Sequence, residues 1–279
     1  MRVVVQNLFG RRADWPKRRD ALRKILAELE PDLVAFPEAV VTDEYDQVGD
    51  LLGPDFYVAH QREREPGDGA DVEAGQGHSI ASRWPLEQVS ELDLHVTPRT
   101  VGFACGLLAA EVEAPKPIGR VLFAYHNPSW QLSFAHEREL QAVAAARFLE
   151  ARADGRELHV VLAADLDTDP PSSSARFLTG RQSLDGMSVC YRDAWESAHP
   201  DEPGHTFGAP ENPLGVDWDW PFRRIDYVFI RCGEHGGPTL QITRCERVFD
   251  HPVDGVWASD HFGLIADLAI PARRRSPGS

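Results

Sequence analysis

Leu158-His-Val-Val-Leu-Ala-Ala-Asp-Leu-Asp167 is the stretch whose reading decides the fold: an almost continuous apolar run of strand length that ends in two carboxylates. A strand without polar alternation is buried on both faces and so needs a layer of structure above it and another below. The preceding residues supply one such layer. Ser133 is placed to cap a helix over roughly 134–153, with Leu140, Val143, Ala144, Phe148 and Leu149 as its inner stripe. Before it, Arg120-Val-Leu-Phe-Ala-Tyr-His126 reads as another strand. The same strand–helix–strand order opens the chain. Residues 2–6 (Arg-Val-Val-Val-Gln) are β-branched; Asp14 and Pro16 start a helix with Leu22, Ile25, Leu26 and Leu29 on one face. Pro31 stops that helix, and Asp32-Leu-Val-Ala-Phe36 is a second strand ending at Pro37-Glu38. This strand–helix–strand order predicts an α/β sandwich.

Further strand-like segments fall near 78–83, 86–96, 99–112, 119–126, 224–231, 239–249 and 262–268. Residues 61–77 are charged and Gly-rich, and 196–221 are rich in Pro, Gly and Trp; both are read as surface loops. No linker or internal repeat divides the chain, so one domain over 1–270 is expected, followed by a solvated Arg-rich tail at 271–279. Of the 279 residues, 44 are Asp or Glu and 29 are Lys or Arg, a net charge of −15. That balance weighs against tight non-specific binding to nucleic acid, which needs clustered cations. No apolar run approaches a membrane span, and the start lacks the pattern of a signal peptide. Cys105, Cys190, Cys232 and Cys245 are sparse and irregularly spaced, which fits reduced thiols in a cytoplasmic protein.

The chemistry-bearing residues lie where the strands end. Asn7 closes the first strand, Glu38 follows the second, His126 ends the strand before the long helix, and Asp165 and Asp167 end the quoted run. Asp226 sits within Arg224-Ile-Asp-Tyr-Val-Phe-Ile230, and Asp260-His261 opens the last strand. In layered α/β proteins ligands collect at strand ends, where loops supply side chains and the sheet holds them. Residues 165 and 167 point to the same side of an extended backbone, and two carboxylates pressed together are relieved by a divalent cation or a shared proton. With Glu38 they form a hard-oxygen set that favours Mg²⁺ or Mn²⁺ over Zn²⁺. Each residue taken singly is more simply read as a turn or cap group in water; their consistent placement after the most apolar strands argues for a shared site.

Shorter patterns fail on their spacing. Asp165-x-Asp167-x-Asp169 begins like a calcium loop, but Pro170 holds the required Gly place and Arg176 that of the bidentate Glu. His136-Glu137 has no second His one turn on, and Gly75-Gln-Gly77 lacks a third glycine. Cys232-x2-His235 with Cys245 and His251 is too loosely spaced for a zinc site. Of the tryptophans, Trp130, Trp218 and Trp220 are expected nearest a cleft.

Seven short segments in order now carry a resemblance: Val5-Gln-Asn7, Phe36-Pro-Glu38, Ile80-Ala-Ser-Arg83, Tyr125-His126, Ala164-Asp-Leu-Asp167, Arg224-Ile-Asp-Tyr227 and Ser259-Asp-His261. The chain resembles the endonuclease/exonuclease/phosphatase superfamily, with its deoxyribonuclease I-like fold. The resemblance implies a four-layer sandwich of two packed mixed β-sheets flanked by helices, with a Mg²⁺-dependent phosphoester-cleaving site at one edge. By position, Glu38 would be the main metal ligand, Asn7 would hold metal water or phosphate beside it, and Asp260 would assist. Asp165 would orient or deprotonate the attacking water; His261 would contact the scissile phosphate, with Asp226 on its other ring nitrogen. His126 would reach a phosphate oxygen from the other side, and Arg83 is a candidate phosphate-binding residue, with a structural salt bridge to loop carboxylates as an equal reading. Asp167 departs from the pattern, which usually has Asn there, and the glutamate that deoxyribonucleases pair with the His126-type residue has no clear counterpart.

The expected function is a Mg²⁺-dependent (or Mn²⁺-dependent) phosphoesterase, monomeric, acting on a small, lipid-like or nucleotide phosphoester by in-line attack of water. A repair-type nuclease, with Arg62, Arg64, Arg83 and Arg99 as its basic face, ranks second because of the net charge. A non-catalytic binding module, motivated by Asp167, ranks third.

Overall fold

Two six-stranded sheets lie face to face. The computed structural model describes residues 1–66, 73–215 and 221–272. The first sheet holds β1 (Arg2–Val5), β2 (Leu33–Val40), β3 (Tyr57–His60), β4 (Gln76–Ser82), β11 (Gln241–Val248) and β12 (Gly263–Ala269), in the order β11-β12-β1-β2-β4-β3. The second holds β5 (Glu87–Asp93), β6 (Gly106–Ala114), β7 (Gly119–Asn127), β8 (His159–Asp165), β9 (Tyr191–Asp193) and β10 (Asp226–Arg231), in the order β5-β6-β7-β8-β10-β9. Each sheet is mixed: β1 and β2 run parallel, as do β7 and β8, and their other neighbours are antiparallel. A parallel pair needs a crossover, and α1 (Trp15–Leu29) and α3 (Ala135–Ala153) provide the two.

Three apolar clusters follow from strand alternation. Val3, Val5, Ile80, Phe123, Tyr125, Val161 and Val228 meet between the sheets. Leu122, Ala124, Val160, Leu162 and Phe229 face α3 and the short α4 (Ser173–Leu178). Val4, Val34, Phe36 and Ala81 face α1 and α2 (Gln47–Leu52). The layers are therefore helix, sheet, sheet, helix. The buried face of α3 is mainly small: Ala142, Ala145 and Ala146 let it approach the sheet, while Leu149, fully buried, contributes about 1.5–3 kcal/mol. Leu140, Ala144 and Phe148 of the expected stripe are half-buried instead.

Local starts differ from those read in the sequence. The residue before α3 is Phe134 and no side chain caps it; Arg138 donates instead to the carbonyls of Ser129, Gln131 and Leu132. Asp14 precedes α1 without a capping bond, its carboxylate paired with Lys17 at 2.8 Å. The strand expected from residue 99 begins at Gly106, because Pro98–Thr100 form a 3-10 turn closed by Thr97 and Thr100. β3 and β9 add two short strands to those expected from the sequence. The segment read as a loop from 196 overlaps α5 (Ala194–Ala198). Parts of the expected loops (67–72 and 216–220) and most of the tail (273–279) lie outside the described residues. No helix among the described residues is long and apolar enough to cross a membrane.

Candidate active site

The parallel pairs bring matching strand ends to one edge of the sandwich. Asn7 lies just beyond β1, Glu38 near the end of β2, Asn127 at the end of β7 and Asp165 at the end of β8; Asp226 starts β10, and His261 just precedes β12. Glu38 gets its direction from a bulge. Phe36 pairs with Ser79 and Ala39 with Gly77, so Pro37 and Glu38 together oppose His78. Such an extra residue bends the strand and re-aims a side chain; here Glu38 takes a left-handed backbone, φ 55°. Asp167 is left-handed as well, φ 51°.

Hydrogen bonds knit these groups across the two sheets. The Asn7 Nδ2 donates to Glu38 Oε1 at 3.1 Å and to Asp165 Oδ2 at 3.3 Å, while its Oδ1 accepts from the Phe9 amide at 2.8 Å. The His261 Nδ1 lies 3.0 Å from Asp226 Oδ2 and 3.8 Å from Asp165 Oδ2; its Nε2 is 3.5 Å from the Asn7 amide nitrogen. Thr206, fully buried, fixes Asp226 from behind: its Oγ1 accepts from the amides of Ile225 (3.1 Å) and Asp226 (3.2 Å). Ser259 donates to Asp260 Oδ1 at 3.1 Å. Beneath the loop after β1, the buried guanidinium of Arg18 donates to the carbonyls of Leu8, Gly10, Arg12 and Ala258, and burial pushes it down to about 10.

The electrostatics are those of crowded, desolvated acids. Burial, then the charges of Asp167 and Asp226, hold Asp165 well above the usual carboxylate range. Burial pushes Asp167 up to about 7 and Asp260 up to about 6, each against the pull of His261. Burial alone would lower His261, but the adjacent carboxylates of Asp226 and Asp165 outweigh it and hold the ring well above its ordinary value. The imidazolium is the form this pairing favours, because the Asp226–Nδ1 contact is short and dry.

The cleft at this edge has a volume of about 160 Å³. Glu38, Asp165, Asp167 and His261 line it, together with Arg12, Gln76, Phe103, Asn127 and Trp130. A larger, shallow groove of about 410 Å³ runs between α1 and residues 253–256, but its Lys17 and Lys24 pair with Asp14 and Asp254 and no catalytic constellation faces it. The structure thus brings together Asn7, Glu38, Asp165, Asp167, Asp226, Asp260 and His261.

Two candidates sit elsewhere. His126 pairs in register with Leu107 and Ala164, both in the helix-facing cluster, so its ring turns away from the cleft; both ring nitrogens are buried without a partner. The next residue, Asn127, faces the cleft in its place. Arg83 follows the far end of β4, beside the start of β2; its Nε donates to the Pro31 carbonyl at 2.9 Å and its guanidinium lies over Phe56. It is a structural residue at the opposite end of the sheet. Trp130 does line the cleft, while Trp218 and Trp220 lie outside the described residues. His78, near the place expected for the missing glutamate, is buried with its Nε2 donating to the Ala104 carbonyl at 2.8 Å. Cys245 is buried between the sheets and Cys232 lies beside Cys190, so no zinc set forms there.

A divalent cation fits this donor set on structural grounds. Asp165, Asp167 and Asp260, all with raised proton affinity, lie close enough to Glu38 to feel its charge, and Asp226 Oδ1 is buried without a partner. A cation would supply the positive charge that Asp165, Asp167 and Asp260 otherwise draw from protons.

This fold and site define a class, the deoxyribonuclease I-like phosphoester hydrolases. The chain belongs to the endonuclease/exonuclease/phosphatase family, whose model matches residues 5–261. Members of that family are generally phosphoester hydrolases that use divalent metal ions. No curated protein matches the chain by sequence. Among solved structures, the catalytic domain of human Nocturnin with bound sulfate is similar at a TM-score of 0.73 and 16% identity, covering 97% of this chain and 94% of that one. Zebrafish (D. rerio) TDP2 complexed with a single-stranded DNA product gives 0.73 and 16%, covering 95% and 97%. An endonuclease/exonuclease/phosphatase from Bacteroides vulgatus gives 0.70 and 18%, covering 97% and 98%. At these identities the likeness is one of fold.

Proposed function

We propose that this chain is a Mg²⁺- or Mn²⁺-dependent phosphoesterase that hydrolyses a small, lipid-like or nucleotide phosphoester. The observation that carries the reading is the hydrogen-bonded chain from Glu38 through Asn7 to Asp165, with the His261–Asp226 pair beside it. Glu38, Asn7 and Asp260 would hold the cation. When bound, it supplies positive charge to the non-bridging phosphate oxygens. Asp165, buried and with raised proton affinity, is suited to take a proton from the attacking water. Asp226 keeps the His261 imidazolium oriented, leaving Nε2 to donate to a phosphoryl oxygen as its charge grows. Asn127 and Arg12 replace His126 and Arg83 as the polar contacts for the phosphate. Phe103 and Trp130 offer an apolar wall to whatever the phosphate is attached to.

The test is a panel of phosphomonoesters and phosphodiesters with Mg²⁺, Mn²⁺ or EDTA. Hydrolysis that needs the cation and is lost in Glu38→Gln supports the proposal. Activity untouched by EDTA, or retained in full by that variant, overturns the assigned site. A repair-type nuclease is the second reading, favoured by the similarity to TDP2, whose structure holds a single-stranded DNA product. A non-catalytic module is the third, and calorimetry separates it: a dead site takes up no Mg²⁺ at millimolar concentration.

A further inference from the structure

At the end of the second sheet away from the cleft, β9 is preceded by Cys190 and β10 is followed by Cys232. The register Phe229–Asp193, Ile230–Arg192 and Arg231–Tyr191 extends by one step to set Cys232 opposite Cys190, and the Cys232 amide donates to the Cys190 carbonyl at 2.9 Å. Residues opposed in a hydrogen-bonded antiparallel pair have Cα atoms about 5.5 Å apart and side chains on one face. Disulfides span Cα separations of about 4.4–6.8 Å, so this pair lies inside the bridging range. Cys190 is exposed, whereas Cys232 is 9% exposed. Cys190 lies close enough to Cys232 to raise the Cys232 thiol further. Cys105 and Cys245, each 1% exposed, belong to different apolar clusters and do not compete.

We propose that Cys190 and Cys232 form an oxidisable dithiol that a peroxide closes to a cross-strand disulfide. Cys190, at the surface, meets the oxidant first. Its thiolate attacks one peroxide oxygen, the O–O bond breaks, and Cys190 sulfenic acid and water result. The Cys232 thiolate then attacks the sulfenic sulfur; the S–S bond forms, the S–O bond breaks, and the departing hydroxide takes the Cys232 proton as water. In sum, two thiols and one hydrogen peroxide give one disulfide and two waters. Burial pushes Cys232 up to about 11, and Arg192, on the same face, opposes this by favouring its thiolate. The closed loop would run from 190 to 232 and contain Thr206, which fixes Asp226. The proposal is independent of the phosphoesterase reading, since β10 separates the pair from Asp226 by about 20 Å at ~3.3 Å per residue.

The full chain, reduced and freed of reductant, is treated with a small molar excess of hydrogen peroxide, quenched with an alkylating agent, denatured and mapped by mass spectrometry. The expected result is two free thiols instead of four, a mass loss of two hydrogens and a peptide joining Cys190 to Cys232, all reversed by dithiothreitol. The melting temperature should rise by several degrees on oxidation, because the cross-link constrains the unfolded chain. Cys190→Ser should leave Cys232 fully alkylatable. Four free thiols after treatment, or Cys190 oxidised while Cys232 remains alkylatable in the wild type, overturns the proposal. The wild-type mapping decides even if a variant fails to fold.

Discussion

Glu38 holds its carboxylate on a left-handed backbone that a β-branched or bulky residue would adopt only at a cost of about 1–3 kcal/mol. The bulge that imposes this conformation also turns the side chain into the cleft, where Arg12 approaches Oε2 at 3.5 Å and Asn7 bonds Oε1. Glu38→Gln keeps the shape and removes the charge. It should lower metal-dependent hydrolysis by about 100-fold or more, since stabilisation of transition-state charge is at stake. It should also abolish the rise in melting temperature that Mn²⁺ produces in the wild type by binding the folded state. Parallel thermal scans with and without Mn²⁺ check this; an equal rise in both proteins would place the ion elsewhere. Thr206 tests the other end of the constellation. Thr206→Val leaves the buried amides of Ile225 and Asp226 without their acceptor, a loss of about 2–4 kcal/mol of stability. By loosening Asp226 it should reduce kcat more than it raises KM, as urea unfolding and steady-state kinetics would reveal. Most carboxylates of the site were legible because a polar residue straight after an apolar strand stands out. Which neighbour faces the cleft was not. A one-residue step reverses the face of a strand, and the alternation Phe123, Tyr125, Asn127 was the available signal that His126 points outward. Arg12 and Gln76 gave no signal, because each is a polar residue in a polar stretch.

The elements reflect the same division between local pattern and tertiary context. The two crossover helices and the long strands were legible from periodicity and apolar runs, whereas β3 and β9 are short edge strands whose pairing depends on β4 and β10 rather than on their own composition. β4 and β7 also bury a histidine each. His78 donates to one carbonyl and His126 has no partner, and burial lowers both to about 3. A histidine depressed below its ordinary 6.5 is neutral in the fold and protonates first in the unfolded chain. Its contribution to stability is therefore complete above about pH 6.5 and is lost as pH falls toward about 3, at roughly 1.4 kcal/mol per pH unit for each ring. The raised carboxylates of the metal-free site act in the opposite sense, so a difference measurement isolates the effect. His126→Leu sacrifices no hydrogen bond. The variant should be as stable as the wild type at pH 7 or more so, by up to about 1–3 kcal/mol. From pH 6.5 to pH 5 its advantage should grow by about 2 kcal/mol. Urea unfolding of both proteins at the two pH values checks the sign, and a constant gap would mean that His126 titrates normally in the fold.

At the scale of the molecule the two sheets repeat one plan that the sequence conceals. Each has a parallel crossover pair at its centre, an antiparallel hairpin on one side and two further antiparallel strands on the other. Corresponding strand ends then supply corresponding positions at the site: Asn7 with Asn127, Glu38 with Asp165, Gln76 with Asp226, and the residues entering β12 and β6, His261 and Phe103. Topology recurs where residue identity does not, so no internal repeat was visible in the chain. The hairpin of the first sheet comes from the C-terminal β11 and β12, and the Met1 ammonium donates to the Leu268 carbonyl at 2.8 Å, so the site is assembled from both ends of the described chain. One sheet thus contributes mainly the Glu38 side of the cleft and the other the Asp165–Asp226 side. Among the described residues lining the cleft, Arg12 is the one guanidinium, with Arg223 behind Asp167, on a chain of net charge −15. Non-specific binding to DNA releases a counterion for nearly every phosphate neutralised, giving a log–log salt slope of about −0.9 per contact. With so few cations at the cleft, the slope for duplex DNA should be no steeper than about −2, and retention at physiological salt should be absent. Fluorescence anisotropy with a labelled duplex from 20 mM to 200 mM NaCl measures it. A slope of about −5 or steeper would require a basic track along the surface and would move the substrate from small phosphoesters to nucleic acid.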